Sequence, residues 1–265
     1  MIPAIGLGTF RLKGQEVIDS VTNALELGYR HIDTAQVYDN ESEVGQAIAD
    51  SDVPREDIFL TTKVWTDRFR HTELVESVRE SLDRLGTDYV DLLLLHWPSP
   101  DGVPIEETIG ALAEAKQLGL TRQIGVSNFT IAQLDEVLSV GGGDQIVTNQ
   151  IEVHPFLANR KLADHCAARG VKVTGYMPLA VGKVMEDDTL KAIGEAHGVT
   201  AAQIALAWVA QRDIIVIPSS TKREHQQANL AAMKLSLSDE EMTRIDALDR
   251  GERIANPSFA PEWDE

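Results

Sequence analysis

The sequence has little of several features that would define a protein class. Its 265 residues include one cysteine, Cys166, so no disulfide can form within the chain, and we expect this thiol to be buried and structural. No run of about 18 apolar residues occurs that could span a membrane. The first residues lack the basic and apolar regions of a secretory signal. We therefore expect a soluble, cytoplasmic protein.

Basic residues are scarce. The chain has 24 Lys and Arg against 42 Asp and Glu, which gives a formal net charge of −18. Such an acidic surface disfavours nucleic acid and anionic membranes as partners. It is consistent with a halophilic source, because the Debye length falls to about 3 Å in molar salt and self-repulsion is screened. The alternative is an ordinary protein of low isoelectric point.

The sequence also lacks a linker or low-complexity segment, so residues 1–265 are predicted to form one domain. Short apolar runs alternate with amphipathic stretches along the chain, which predicts a parallel eight-stranded (β/α)8 TIM barrel of α/β class. Capping signals predict a helix over Ile131–Val140 with Thr130 as N-cap and another beginning at Ser238. A further helix is predicted over Glu73–Leu85. The predicted strands are Ile5–Thr9, His31–Ala35, Ile58–Lys63, Val90–His96, Gln123–Ser127, Ile146–Gln150, Val171–Tyr176 and Ile214–Pro218.

Polar residues follow the predicted strands at their carboxyl ends. In a barrel these ends converge on one rim, where active sites are built. Strand ends are often polar simply because they are exposed to solvent, but solvent exposure alone would favour any polar residue. It does not account for Asp, Lys, His and Tyr, which can all exchange protons. We therefore expect a functional site formed from Thr9, Asp33, Lys63, His96, Ser127, Asn128, Gln150, Tyr176, Ser219 and Ser220.

Four of these positions carry a family resemblance. Asp33 and Tyr38 stand five residues apart after the second strand, Lys63 ends the third, and His96 opens the sequence His-Trp-Pro after the fourth. The chain resembles the aldo-keto reductase family, whose catalytic Asp, Tyr, Lys and His these residues match. The resemblance implies reduction of aldehydes or ketones with a nicotinamide cofactor, and Tyr38 as the general acid. Lys63 should lower the pKa of the phenol, Asp33 should hold the lysine, and His96 should bind the substrate oxygen.

The cofactor site is predicted at the same rim. The sequence Gly6-Leu7-Gly8 lacks the third glycine of the dinucleotide-binding fingerprint, so a Rossmann site is not expected. The resemblance implies that Ser127, Asn128 and Gln150 bind the carboxamide and that Tyr176 stacks on the nicotinamide. The other implied cofactor contacts are Thr9, Asp33, Leu179, Ser219, Ser220, Lys222, Arg223, His225 and Asn229.

The adenosine end departs from the family pattern. Many members carry Lys where this chain has Ser219 and Arg where it has His225. Lys222 and Arg223 remain, and two basic residues at a helix start suit a 2′-phosphate. The expected cofactor is NADPH, with NADH left open.

The substrate is expected to be a small carbonyl compound. Phe10, Trp65 and Trp97 follow strands one, three and four and should form an apolar mouth, over which a short tail containing Trp263 could fold. The chain starts almost at the first strand and so lacks most of the N-terminal hairpin found in many family members. It is most similar to bacterial 2,5-diketo-D-gluconate and methylglyoxal reductases, which leaves the substrate open. We expect a monomer.

Two other functions are possible for a barrel of this kind. A metal-dependent barrel hydrolase would need clustered ligands, but the seven histidines show no His-x-His pair and Lys63 would repel a cation. No metal ligands are therefore predicted. A catalytically idle barrel that binds nicotinamide as a redox sensor or regulatory subunit would keep Ser127, Asn128, Gln150 and Tyr176. Such a protein could dispense with Tyr38, which is present.

Overall fold

Eight parallel strands pair in chain order in the computed structural model, which describes residues 1–264. The ring closes where Ile5 bridges Val216 and the amide of Gly6 donates to the Val216 carbonyl at 2.8 Å. The predicted (β/α)8 barrel is therefore confirmed. The strands are β1 (Leu7–Gly8), β2 (His31–Asp33), β3 (Phe59–Val64), β4 (Val90–Leu95), β5 (Thr121–Ser127), β6 (Ile146–Glu152), β7 (Lys172–Tyr176) and β8 (Ile215–Val216).

Ten α-helices surround the strands, counted over residues 1–264, with two between β7 and β8 and two after β8. Short 3₁₀ turns at Gln36–Tyr38, Arg55–Asp57, Thr66–Arg68, Gly143–Gln145 and Ala180–Glu186 complete the connections. The helices are α1 (Gln15–Leu27), α2 (Glu41–Ala49), α3 (His71–Leu85), α4 (Ile105–Gln117), α5 (Ile131–Ser139), α6 (Arg160–Ala168), α7 (Asp188–His197), α8 (Ala201–Gln211), α9 (Arg223–Ala232) and α10 (Asp239–Asp246). None of the helices in the described residues is long and apolar enough to cross a membrane.

The capping signals mark real helix starts. The Thr130 hydroxyl accepts from the Gln133 amide while the Gln133 side chain accepts from the Thr130 amide, which forms a capping box at α5. Ser238 and Glu241 form the same box at α10. Helix α3 begins at His71, two residues before the predicted start, and α5 ends one residue before the predicted end.

The first and last strands are shorter than predicted. Strand β8 was expected to run to Pro218 but ends at Val216, because proline has no amide hydrogen and cannot extend the ladder on that side. The Pro218 carbonyl still accepts from the Gly8 amide at 3.1 Å, so the ring stays closed near the rim. Cys166 is buried as predicted, and burial raises the pKa of its thiol to about 11.

A buried histidine packs near the amino ends of the barrel strands. His31 begins β2, is buried, and lies 3.1 Å through Nε2 from the Thr61 hydroxyl. It fits because Gly6 has no side chain: a Cβ there would stand 2.7 Å from the His31 ring. The polar rim at the other end of the strands carries the predicted site.

Candidate active site

Lys63 contacts two of the other three predicted catalytic residues. Its Nζ donates to Asp33 Oδ1 at 2.5 Å and to the Thr34 carbonyl at 2.8 Å, and lies 3.4 Å from the Tyr38 hydroxyl. Strands β2 and β3 are neighbours, so the ends that carry Asp33 and Lys63 lie side by side. Gln150 at the end of β6 completes the arrangement by donating to Asp33 Oδ2 at 2.8 Å.

The Tyr38 loop is held by a residue that sequence reasoning missed. Tyr38 ends the first 3₁₀ turn, and Asn40, which follows it closely, is buried. Its amide donates to the Thr9 carbonyl at 2.9 Å and the Leu12 carbonyl at 3.1 Å, and its oxygen accepts from the Thr34 hydroxyl. Asn40 directly precedes α2, a position where Asn is common, but its side chain makes no cap hydrogen bond and binds the Thr9 and Leu12 carbonyls instead.

The charges around Tyr38 suit proton donation. Burial raises the pKa of the Tyr38 hydroxyl, and the Lys63 ammonium, which favours the phenolate, offsets only part of that rise. Burial lowers the pKa of Lys63 but Asp33 and Tyr38 raise it, and the net direction is upward. Lys63 therefore acts on the Tyr38 pKa in the predicted direction, but burial outweighs it. Both groups hold their protons at neutral pH.

His96 lies beside Tyr38 as a neutral ring. It follows β4, and its ring centroid is 5.4 Å from that of Tyr38 and 5.1 Å from that of Trp65. Burial and then the nearby Lys63 hold the pKa of the imidazole well below its usual range. Nδ1 has no hydrogen-bond partner among the described residues. A neutral imidazole facing the cavity can donate one N–H to a carbonyl oxygen.

One cavity of about 930 Å³ brings together the four residues expected around the nicotinamide, which are Ser127, Asn128, Gln150 and Tyr176. Asp33, Tyr38 and His96 line the same cavity. The Tyr176 hydroxyl donates to Asn128 Oδ1 at 2.7 Å, and the Ser127 hydroxyl donates to the Gln150 carbonyl at 2.8 Å. An aromatic face beside hydroxyl and amide groups matches a flat ring that bears a carboxamide. The donor set therefore fits the nicotinamide of such a cofactor.

The predicted adenosine residues divide into two groups. Ser219, Ser220, His225, Asn229 and Leu179 line the same cavity. The two predicted cations, Lys222 and Arg223, are not among the lining residues. Thr9 does not line the cavity either; it is buried and its hydroxyl donates to the Asp33 carbonyl at 3.0 Å.

Arg223 is turned toward a neighbouring helix. Its Nη1 donates to Asn23 Oδ1 at 2.9 Å and Glu26 Oε2 at 2.5 Å, both on α1. Lys222 is the N-cap residue of α9 and is exposed. The two cations therefore stand at the N-terminus of α9, close in sequence to the lining residues Ser220 and His225, and Arg223 is already paired.

Aromatic side chains beside Tyr38 and His96 form one part of the cavity, which we call the mouth. Phe10, Trp65 and Trp97 line it, and the tail folds over it. The tail residue at the mouth is Phe259, whose ring centroid lies 5.8 Å from Trp65 and 5.5 Å from Trp97. Trp263 packs further out, 6.0 Å from Trp97. Lining residues that sequence reasoning did not single out include Arg11, Val37, Met177, Pro178, Val181, Met185, Ile254, Ala255 and Phe259.

Comparison with known proteins agrees with this geometry. The aldo/keto reductase family model matches residues 4–250. The chain is 52% identical to methylglyoxal reductase DkgB of Salmonella typhi over 265 residues, 99% of each protein. It is 38% identical to a glyoxal reductase of Bacillus subtilis, over 97% of this chain and 92% of that protein. A crystal structure of a protein provisionally assigned as 2,5-diketo-D-gluconic acid reductase B superposes with a TM-score of 0.96 at 48% identity, covering 100% of this chain and 94% of that one.

Proposed function

The chain belongs to the aldo/keto reductase family, and from this premise we propose that Asp33, Tyr38, Lys63 and His96 carry out carbonyl reduction. The observation that carries the proposal is the position of Lys63, a buried ammonium in contact with both the Asp33 carboxylate and the Tyr38 hydroxyl. A buried ammonium beside a phenol favours loss of the phenol proton. This is the arrangement that a tyrosine needs to act as an acid.

The reaction adds a hydride to the carbonyl carbon and a proton to the oxygen. Ser127, Asn128, Gln150 and Tyr176 would hold a reduced nicotinamide, which when bound would supply the hydride. Tyr38 Oη donates the proton, and Lys63 stabilises the phenolate as it forms. Asp33 keeps Lys63 charged and in place, while the neutral His96 orients the carbonyl oxygen by a hydrogen bond. The aromatic mouth limits access of water.

NADPH is the proposed cofactor, with NADH as the alternative. Ser127, Asn128, Gln150 and Tyr176 would hold the nicotinamide end. The 2′-phosphate would lie near the start of α9, where Lys222, Arg223 and the helix dipole all favour an anion. The pairing of Arg223 with Glu26 weakens this preference, because the guanidinium must exchange partners to bind phosphate.

The proposed substrate is a small carbonyl compound such as methylglyoxal. The relatives named as methylglyoxal and glyoxal reductases support this size class. The side chains at the mouth, which include Phe10, Trp65, Trp97 and Phe259, offer apolar walls close to Tyr38. A diketogluconate is the alternative, supported by the name of the similar crystal structure.

The two rival functions have less support. The idle redox sensor predicts loss of some catalytic positions, whereas all four side chains are present and three of them are in contact through Lys63. For the hydrolase, no group of three or more His, Cys, Asp or Glu side chains in residues 1–264 is placed to hold a metal ion. We further propose that the protein acts as a monomer in the cytoplasm, and that its acidity reflects a halophilic source.

The experiment that tests the proposal is oxidation of NADPH with methylglyoxal by wild type and Tyr38→Phe. Wild type should turn over. The variant should bind NADPH with unchanged affinity, measured by quenching of protein fluorescence, and should lose at least about 100-fold in kcat, because a general acid contributes 10²- to 10⁴-fold.

Either of two results would contradict the proposal. If wild type binds NADPH but reduces nothing across a panel of aldehydes, ketones and diketones, the sensor function is favoured. If Tyr38→Phe retains full activity, another group donates the proton.

A further inference from the structure

A buried glutamate at the end of β6 holds the C-terminal tail. Glu152 is fully buried. Its Oε1 accepts from the Ile254 amide at 2.8 Å and its Oε2 accepts from the Ala255 amide at 2.7 Å. His154 Nε2 lies 2.8 Å from Oε1. Both oxygens of one carboxylate are thus directed at consecutive tail amides.

Burial makes this contact a specific one. A carboxylate removed from water is costly unless hydrogen bonds replace the lost hydration. Two backbone amides and a histidine provide those bonds for Glu152, and charged acceptors make the stronger hydrogen bonds. The tail amides are therefore partners that the Glu152 carboxylate requires, and displacing the tail would cost this carboxylate two hydrogen bonds.

The position of Glu152 relates the tail to the catalytic residues. Side chains alternate along a strand, so Glu152 and Gln150 lie on the same face of β6. Gln150 donates to Asp33 Oδ2 at 2.8 Å, and Ile254 and Ala255 line the catalytic cavity. One strand therefore contacts the catalytic carboxylate through Gln150 and the tail through Glu152.

A second anchor holds the far end of the tail. Asp264 Oδ2 accepts at 2.7 Å from the amide of Ile131, the first residue of α5, where the helix dipole favours a carboxylate. Trp263 lies under the Arg253 guanidinium at 3.7 Å, and its indole donates to Asn256. Phe259 lies between the two anchors, at the mouth.

We propose that Glu152 is a positioning residue for substrate binding, which acts by holding the tail so that Phe259 closes the mouth against Trp65 and Trp97. The inference rests on the proposed carbonyl reduction. Glu152 touches neither the carbonyl nor the Tyr38 proton, so its loss should weaken substrate binding and leave the chemical step unchanged.

The first test measures the tail directly and needs no activity. In Glu152→Gln, an amide NH₂ replaces one carboxylate oxygen. Two donors then face each other, so one hydrogen bond to the tail is lost. Hydrogen exchange at Ile254 and Ala255 should become at least about tenfold faster, while exchange in the barrel strands stays unchanged.

Glu241→Gln is the matched control. Glu241 also binds a histidine, His197 at 2.7 Å, and also accepts a backbone amide, Ser238 at 2.8 Å. It lies on α10 and does not line the cavity. This variant should leave both tail exchange and kinetics at wild-type values.

The second test is kinetic. With methylglyoxal and saturating NADPH, Glu152→Gln should raise KM roughly tenfold with kcat within about twofold, since lost apolar contacts in a pocket cost 10-fold or more. Phe259→Ala should show the same pattern. The double variant should be no worse than either single one, because both act through one contact.

If Glu152→Gln folds poorly, Asp264→Ala frees the other end of the tail at a half-buried position outside the barrel strands and should raise KM in the same way. Unchanged tail exchange, faster exchange with an unchanged KM, additive effects in the double variant, or a fall in kcat at constant KM would each overturn the inference. Inactive wild type would instead overturn the proposed function.

Discussion

The ammonium nitrogen of Lys63 lies 3.4 Å from the hydroxyl oxygen of Tyr38 and also binds the Asp33 carboxylate, with Lys63 completely buried. A buried positive charge beside a phenol contributes little to a protonated tyrosine and much to a phenolate. The contact therefore acts on the transition state of proton transfer rather than on substrate binding.

The first prediction concerns the charge of Lys63. Lys63→Met should lower kcat by about 100-fold or more, the usual contribution of acid–base catalysis, while the NADPH dissociation constant changes little. The measurement is steady-state reduction of methylglyoxal together with NADPH titration. A variant that keeps wild-type kcat would show that the charge is not used.

That variant also leaves the Asp33 carboxylate buried without its partner, which could destabilise the fold by several kcal/mol. The double variant Asp33→Asn, Lys63→Met is the control, because it removes both charges. It should recover most of the melting temperature lost in Lys63→Met and none of the lost kcat. Recovery of both would mean that instability caused the loss.

The catalytic residues could be predicted because they are local features of strand ends. Asp33, Lys63 and His96 each follow an apolar run, and the topology of a parallel barrel brings such ends to one rim. The family resemblance added their roles. The net pKa of Tyr38 could not be predicted, because it depends on how deeply the loop is buried.

The tail contacts could not be predicted for a different reason. The partners of Glu152 are backbone amides at Ile254 and Ala255, which carry no side-chain signal and lie far along the chain. Phe259 lies in a segment without helix or strand periodicity. The orientation of Arg223 depends on how α9 packs against α1, which no local pattern specifies.

The second prediction concerns cofactor preference. Glu26→Gln should free Arg223 for the 2′-phosphate and raise the preference for NADPH over NADH. The gain should be at most about fivefold, because exposed ion pairs contribute only 0–1 kcal/mol. The measurement is kcat/KM for each cofactor. KM for NADH, which has no 2′-phosphate, is the internal control and should not change.

Lys222→Ala tests the same site from the other side and should lower the NADPH preference about tenfold, as expected for loss of a charge-assisted contact. Equal changes in KM for NADH and NADPH would place the 2′-phosphate elsewhere.

The third prediction concerns salt. With a net charge of −18, repulsion within the folded protein should fall as the Debye length shortens from about 10 Å at 0.1 M to about 3 Å at 1 M. The melting temperature should therefore rise between 0.1 M and 2 M NaCl. Exposed ion pairs such as Arg68–Glu80 oppose this trend, but each is worth little.

Thermal melts in NaCl, with sucrose solutions as an uncharged control, check this prediction. A rise in sucrose equal to that in NaCl would indicate solute exclusion rather than charge screening. Melting temperature and activity that are both highest near 0.1 M would show that the halophilic interpretation is wrong.

The last prediction concerns acid stability and His31. Burial, opposed in part by Asp33, lowers the pKa of this imidazole from 6.5 to about 4. Between pH 6.5 and 4, His31 is protonated in the unfolded chain but stays neutral in the folded chain. Protonation of His31 therefore favours unfolding in this range. The free energy of unfolding should fall as pH drops from 6.5 to 4, by up to about 3 kcal/mol from this group.

His31→Gln removes the titrating group and keeps a side chain that can bond to the Thr61 hydroxyl. Although less stable at pH 7, this variant should lose less of its unfolding free energy between pH 7 and 4.5 than wild type, in urea titrations at each pH. If wild type and His31→Gln have parallel profiles, the folded protein accepts the proton, and the fall in stability at acid pH must come from other buried groups such as His96, whose pKa burial also lowers.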